Sequence, residues 1–250
     1  MTRRGILTLV GAGLLAYLMA LVATVPAARA LAYADTDVAA SGVQGTVWSG
    51  AAQRADFGGP LPVSELHWDT RLWPLFTGEL AADAQFTVAG ARVDGRFARQ
   101  ADGALVARDA NIRGPANALL QLVQAPALSV EGEVLGRIQQ ATVRAGQVRM
   151  LTGRFQWDGA TLVDPLRIAL GTVRGRIRPV EDNMHEIELE SSGGDVASEG
   201  VVRLFANGRY EIELTMNPTR DAPDHVADTL SMLARRNDNG DFVLRQSGQL

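Results

Sequence analysis

The sequence predicts a mainly β protein: an N-terminal transmembrane helix, then an antiparallel β-meander, arranged as two related halves on one reading, with two short helices. Three observations predict it. Residues 5–25 carry no charge. Downstream, several short segments alternate apolar and polar residues. Four Asp-Gly or Asn-Gly dipeptides lie beside such segments, and these are strong hairpin signals.

The uncharged run, with Gly5 and Val25 at its ends, matches the roughly 20 apolar residues that a membrane-spanning helix needs. Arg3 and Arg4 precede it and would hold the N-terminus in the cytoplasm. A cleaved signal peptide is the competing reading, because Ala28, Arg29 and Ala30 form an A-x-A pattern ahead of Leu31. Signal cores usually run about 7–15 residues, so the uncleaved anchor is favoured. Under either reading the rest of the chain is exported. The run contains no acidic or basic residue that would mark a proton or ion path, so it reads as a tether. Residues 1–30 are therefore taken as stub and anchor, and residues 31–250 as a periplasmic β-rich domain.

The first stretch after the anchor is "SGVQGTVWSGAAQ". Gly42 and Gly45 permit close backbone approach. Val43, Val47 and Trp48 supply apolar mass for a first strand, and Gly50 and Ala51 leave space beside the Trp48 indole. Asp102-Gly103 lies between "RVDGRFA" and "ALVARDA", and Asp158-Gly159 between "GRFQW" and "ATLV". Both are expected to be hairpin turns. Asn207-Gly208 follows "EGVVRLF" and opens "GRYEIELTM". In that segment Tyr210, Ile212, Leu214 and Met216 share one face, and Arg209, Glu211, Glu213 and Thr215 the other. Asn239-Gly240 leads into a last strand, "DFVLRQ".

Two segments break the alternation. Residues 116–123 follow Pro115 and carry Leu119, Leu120, Leu122 and Val123. Residues 223–235 have Asp221 ahead of them and Val226, Leu230 and Leu233 on one stripe. Arg235 and Arg236 would fall in the last turn, where cations suit the helix dipole. "LHWD" and "FQWD" sit in similar places before each helix, which suggests related halves at 41–124 and 128–250.

Composition narrows the function. At 46% hydrophobic and 21% charged, the chain is an ordinary packed protein. Its net charge is −4, and the exported part is more acidic still, since three of the 24 arginines precede residue 30 and all 28 acidic residues follow it. That balance argues against a nucleic-acid partner. There is no cysteine, which excludes disulfides and thiol chemistry. The three histidines, His67, His185 and His225, lie far apart and lack metal-ligand spacing. No nucleophile elbow, phosphate loop or dinucleotide fingerprint is present. The sequence thus points to no catalytic, cofactor or metal site.

"VRGRIRPVEDNMHEIELE" sets two readings against each other. Arg174, Arg176 and Arg178 share one strand face and could form an anion or lipid-headgroup stripe. Glu186, Glu188 and Glu190 alternate in the same way eight residues on. A hairpin that places Ile177 opposite Ile187 sets Arg178, Arg176 and Arg174 opposite Glu186, Glu188 and Glu190 in turn. A one-residue slip would pair charged with apolar side chains, so the ladder is favoured.

Taken in order, these motifs resemble the type II secretion system protein N family. The residues that carry the resemblance are Gly42, Gly45, Thr46, Val47, Trp48 and Gly50, then Trp68, Pro74-Leu75 and Thr77-Gly78-Glu79-Leu80. The closing "NGRYEIEL" around Gly208, the late helix and the final "SGQL" agree as well. The chain departs from the pattern at "LARRNDNG", where the family has a Leu-Gly. The resemblance implies a non-catalytic accessory subunit in the inner membrane, single-pass with its N-terminus cytoplasmic. It also implies a role in exporting folded proteins from the periplasm across the outer membrane, with other secretion subunits as partners. The Trp strands also resemble AsmA-type anchored proteins, for which an open β-groove with an apolar lining and a lipid ligand would be expected.

Overall fold

The computed structural model describes residues 24–29, 38–58, 61–71, 73–74, 78–122, 129–164, 167–181 and 184–249. Arg3, Arg4, Gly5 and most of the uncharged run lie outside them, as do Ala30, Leu31, Leu75 and Thr77. Among the described residues no helix is long and apolar enough to cross a membrane.

The chain builds antiparallel strands with short helices. β1 (Ala39–Ser41), β2 (Gln44–Gly45) and β3 (Ser49–Asp56) come first, then β4 (Val63–Arg71), β5 (Glu79–Val88), β6 (Ala91–Gln100) and β7 (Leu105–Pro115). Helix α1 (Ala116–Leu122) leads to β8 (Ser129–Arg144), β9 (Gln147–Asp164), β10 (Ile168–Glu181), β11 (Met184–Ser192), β12 (Val196–Phe205) and β13 (Arg209–Pro218). Helix α2 (Asp224–Leu233), β14 (Arg235–Arg236) and β15 (Phe242–Gln249) complete the order. All fifteen strands join one sheet. From β3 to β13 each strand pairs with its neighbours in sequence; β15 then pairs with β13 and β14 lies outside it.

Register sorts the side chains onto two faces, because directly opposed residues point the same way. One row runs Gly136, Phe155, Gly175, Leu189, Gly200, Leu214 and Leu244 across seven strands. This apolar face is covered at one end by α1 and α2. Leu119 and Leu120 of α1 pack against the buried cluster of Ala116, Val130 and Val134, as do Phe155 and Trp157. Val226 and Leu230 of α2 pack with Ile168, Val196 and Phe242. Glycines in the row admit large neighbours: a Cβ at Gly175 would collide with the Phe155 ring.

Three of the four dipeptides sit in turns: Asp102-Gly103 between β6 and β7, Asn207-Gly208 between β12 and β13, and Asn239-Gly240 between β14 and β15. Asp158-Gly159 does not. It lies inside β9, where Glu133 faces Asp158 and Glu131 faces Thr161, so β9 holds one residue more than β8 over this interval. Gly159 adopts φ +61. The left-handed glycine that makes Asp-Gly a turn signal serves equally well in a β-bulge. Arg235 and Arg236 are a second correction. They form β14 and leave α2 without a base in its last turn. Pairing with Val243 and Phe242 outweighs the dipole, and the Arg236 guanidinium stacks 4.7 Å from the Phe242 ring. Pro115 ends β7 and stands just before α1.

Leu230 is 1% exposed at the centre of the α2 contact. Leu230→Ala is expected to cost about 2–5 kcal/mol through lost burial and the cavity left behind. Urea unfolding followed by circular dichroism measures it, and a loss below about 1 kcal/mol would show that α2 adds little to the core.

Candidate functional site

The family-motif residues gather at the first hairpin. The Thr46 N–H donates to the Ser49 carbonyl (2.9 Å), and the Thr46 hydroxyl oxygen accepts from the N–H groups of Trp48 and Ser49, both at 3.2 Å. Gly45 takes φ +85, and a Cβ there would stand 2.5 Å from the Ser49 carbonyl oxygen. Val43, Val47 and Trp48 therefore lie outside the regular strands, and Trp48 sits in the turn rather than in a first strand. The space at Gly50 serves Trp68, not Trp48: a Cβ on Gly50 would stand 2.5 Å from Cζ2 of Trp68, which faces it from β4.

Two strands of chain close on this turn. From one side, Thr70 donates its N–H to the Trp48 carbonyl (2.6 Å) and its hydroxyl to the Val47 carbonyl (2.8 Å). From the other, the Val47 N–H donates to the Val25 carbonyl (3.1 Å), and Pro26 bridges Thr46. The motif thus fastens the last residue of the uncharged run to the sheet. Pro74 and Gly78 lie in the β4–β5 connection at the same end, and Gly208 in the β12–β13 turn.

The face opposite the apolar row is charged. One row runs Asp94, Asn111, Arg137, Arg154, Arg176 and Glu188 from β6 to β11. The neighbouring row contains Arg92, Arg113, Leu135, Gln156, Arg174 and Glu190. Over these rows lies an open trough of about 1130 Å³. Every run of lining residues begins and ends on this polar face, so the sheet is concave towards it. The trough takes seven arginines but only four carboxylates, Asp94, Glu188, Glu190 and Glu199.

The β10–β11 register is the expected one, with Arg178, Arg176 and Arg174 opposite Glu186, Glu188 and Glu190. Arg178 lies 2.7 Å from both Glu186 and Glu188, and Arg176 lies 3.7 Å from Glu188. Arg203 adds a contact to Glu186 at 3.5 Å. Arg174 shares the face but makes no ion pair among the described residues, nor do Arg92 and Arg154. Like charges crowd Arg176: Arg137, Arg154 and Arg176 stand side by side across three strands, with Glu188 next to Arg176. The trough as a whole escaped the sequence reading, because its arginines are brought together only by register.

The histidines remain apart. His67 is a β4 residue whose Nδ1 lies 3.1 Å from the Glu65 carbonyl oxygen, and His225 is exposed in the first turn of α2. His185 is 2% exposed, and its Nε2 has no hydrogen-bond partner. Burial holds its pKa below the usual 6.5. Among the described residues no cluster of three or more His, Asp or Glu could hold a metal ion.

A single hairpin-connected sheet, a motif-bearing first hairpin and a polar trough define a β-sheet protein without a recognisable catalytic constellation among its described residues. The chain belongs to the type II secretion system protein N family, whose model, "Type II secretion system (T2SS), protein N", matches residues 36–245. It is therefore a secretion-system component. It is similar to type II secretion system protein N of Aeromonas hydrophila, with 26% identity over 95% of this chain and 96% of the relative. The protein of the same name from Vibrio cholerae is 25% identical over 84% of each chain. No solved structure matches the chain.

The Glu186 side chain is 12% exposed between two arginines. Glu186→Gln is expected to cost about 1 kcal/mol at low salt and less at high salt, measured by urea unfolding. An equal cost at both would show that packing, not charge, holds the pair.

For His185 the folded pKa lies below the unfolded one, so the unfolded chain takes up the proton first. Stability should therefore fall as the pH drops below about 6.5. His185→Leu should flatten that fall between about pH 7.5 and 5.5, read from denaturant midpoints.

Proposed function

We propose that the protein is a non-catalytic accessory subunit of the type II secretion machine, held in the inner membrane by residues 5–25. Arg3 and Arg4 keep the N-terminus cytoplasmic, and residues 31–250 form the periplasmic part, with 41–124 and 128–250 as its related halves. Its partners are the inner membrane and other secretion subunits. It supports the passage of folded proteins from the periplasm across the outer membrane and uses no cofactor. The family match over residues 36–245 is the observation that carries this reading. The uncharged run and its two leading arginines support the topology.

The lipid-handling alternative finds no support. It calls for an open groove with an apolar lining, whereas seven arginines and four carboxylates stand among the residues around the trough.

Deletion of the gene tests the role. Secreted substrates should accumulate, folded, in the periplasm and fall in the medium, with their arrival in the periplasm unchanged. Normal secretion together with altered outer-membrane permeability would overturn the reading.

A further inference from the structure

Consecutive antiparallel strands bring alternate turns to the same end of the sheet. The end that carries the motif hairpin therefore also carries the end of β4, the starts of β5, β7 and β9, and the ends of β6, β8 and β10. Eight large apolar side chains are exposed among the described residues. Six of them crowd this end: Trp73, Leu80, Leu105, Val148, Met150 and Val180. The other two, Phe57 and Met232, lie at the opposite end, where α1 and α2 sit. Register aligns Leu80, Arg99, Leu105, Val143 and Val148 in one row across five strands, so part of the rim is an apolar edge, continuous from Leu105 to Val148 and broken by one arginine before Leu80. Water gains nothing from such clustering, which marks a contact surface.

We propose that this rim rests in the surface of the lipid bilayer, so that the sheet stands on the membrane at its motif end. The proposal rests on the reading of residues 5–25 as a transmembrane span. What identifies the occupant is where that span ends. Val25 accepts a hydrogen bond from Val47, and Pro26 bridges Thr46, so no linker separates the uncharged run from the sheet. A helix leaving the bilayer at Val25 brings the same end of the sheet to the headgroups. Trp73 is there to occupy the interface, as tryptophans do at membrane boundaries. Arg99, within the apolar row, can lay its aliphatic stem along the rim and reach lipid phosphate.

The absence of native cysteine makes the test direct. Single substitutions Trp73→Cys, Leu105→Cys, Met150→Cys and Val180→Cys, with Phe57→Cys and Met232→Cys as references, each carry one bimane label on the full chain. The protein is reconstituted in phosphatidylethanolamine–phosphatidylglycerol vesicles containing lipid with a nitroxide high on its acyl chain. The rim labels are expected to be quenched several-fold more than the two references and to be shielded from iodide. Circular dichroism checks that each variant folds. An alkaline carbonate wash reports separately on the anchor. Retention on the vesicles with rim labels quenched no more than the references would leave the anchor standing and overturn the docking. Release by carbonate would sink the anchor reading and the docking with it. Rim labels shielded from iodide yet not quenched by the labelled lipid would assign the rim to a protein contact and also overturn it.

Discussion

The backbone hydrogen-bond ladder between sequence neighbours is the constraint from which everything else here follows. A strand buried without partners would leave its N–H and C=O groups unpaired at a cost no side chain could offset. This chain meets the demand in the most local way available: from β3 to β13 each strand pairs with the one before it and the one after it. That fixes register, and register fixes which residues meet. The apolar row, the arginine rows and the Arg–Glu pairs are all consequences of it. The helices then cover the apolar face at one end, while the polar face stays open to water and can carry many arginines without burying their charge.

What was legible in the sequence is what depends on neighbours a few residues away. Asn207-Gly208 announces its hairpin because alternation runs cleanly on both sides of it. The Arg174–Glu190 region yields its register because the two charged runs are joined by a short loop and a one-residue slip would set charged against apolar side chains. Asp158-Gly159 misled because a turn and a bulge ask the same thing of glycine. Arg235 and Arg236 misled because a helix end and a two-residue strand can both use arginine, and only the later Phe242 decides between them. Gly50 sits two residues from Trp48 but faces Trp68 across the sheet, so local reading matched it to the wrong indole. The trough was out of reach altogether. Arg92, Arg113, Arg137, Arg154 and Arg174 come from five strands, and nothing near any one of them signals the others.

The motif hairpin shows why small residues stand where they do at the start of this sheet. Gly45 lets the chain reverse against the Ser49 carbonyl, Gly50 leaves the face of β3 bare for Trp68, and Thr46 satisfies two N–H groups that the turn would otherwise expose. Together they free Val47 to bond with Val25, which joins the chain at Val25 directly to the motif hairpin.

Pairing between consecutive strands also sets how the molecule can assemble. A strand needs only its immediate predecessor to begin bonding, so loop-closure entropy is paid in small instalments rather than across the whole length. The sheet can grow one hairpin at a time in the order in which the chain emerges, with the motif hairpin as its seed and each new strand covering the edge left by the last. β7 and β13 must wait longest, since their outer partners, β8 and β15, arrive only after α1 and α2. An incomplete chain would therefore expose one raw edge at a time, and that edge would move steadily towards the C-terminus as synthesis proceeds.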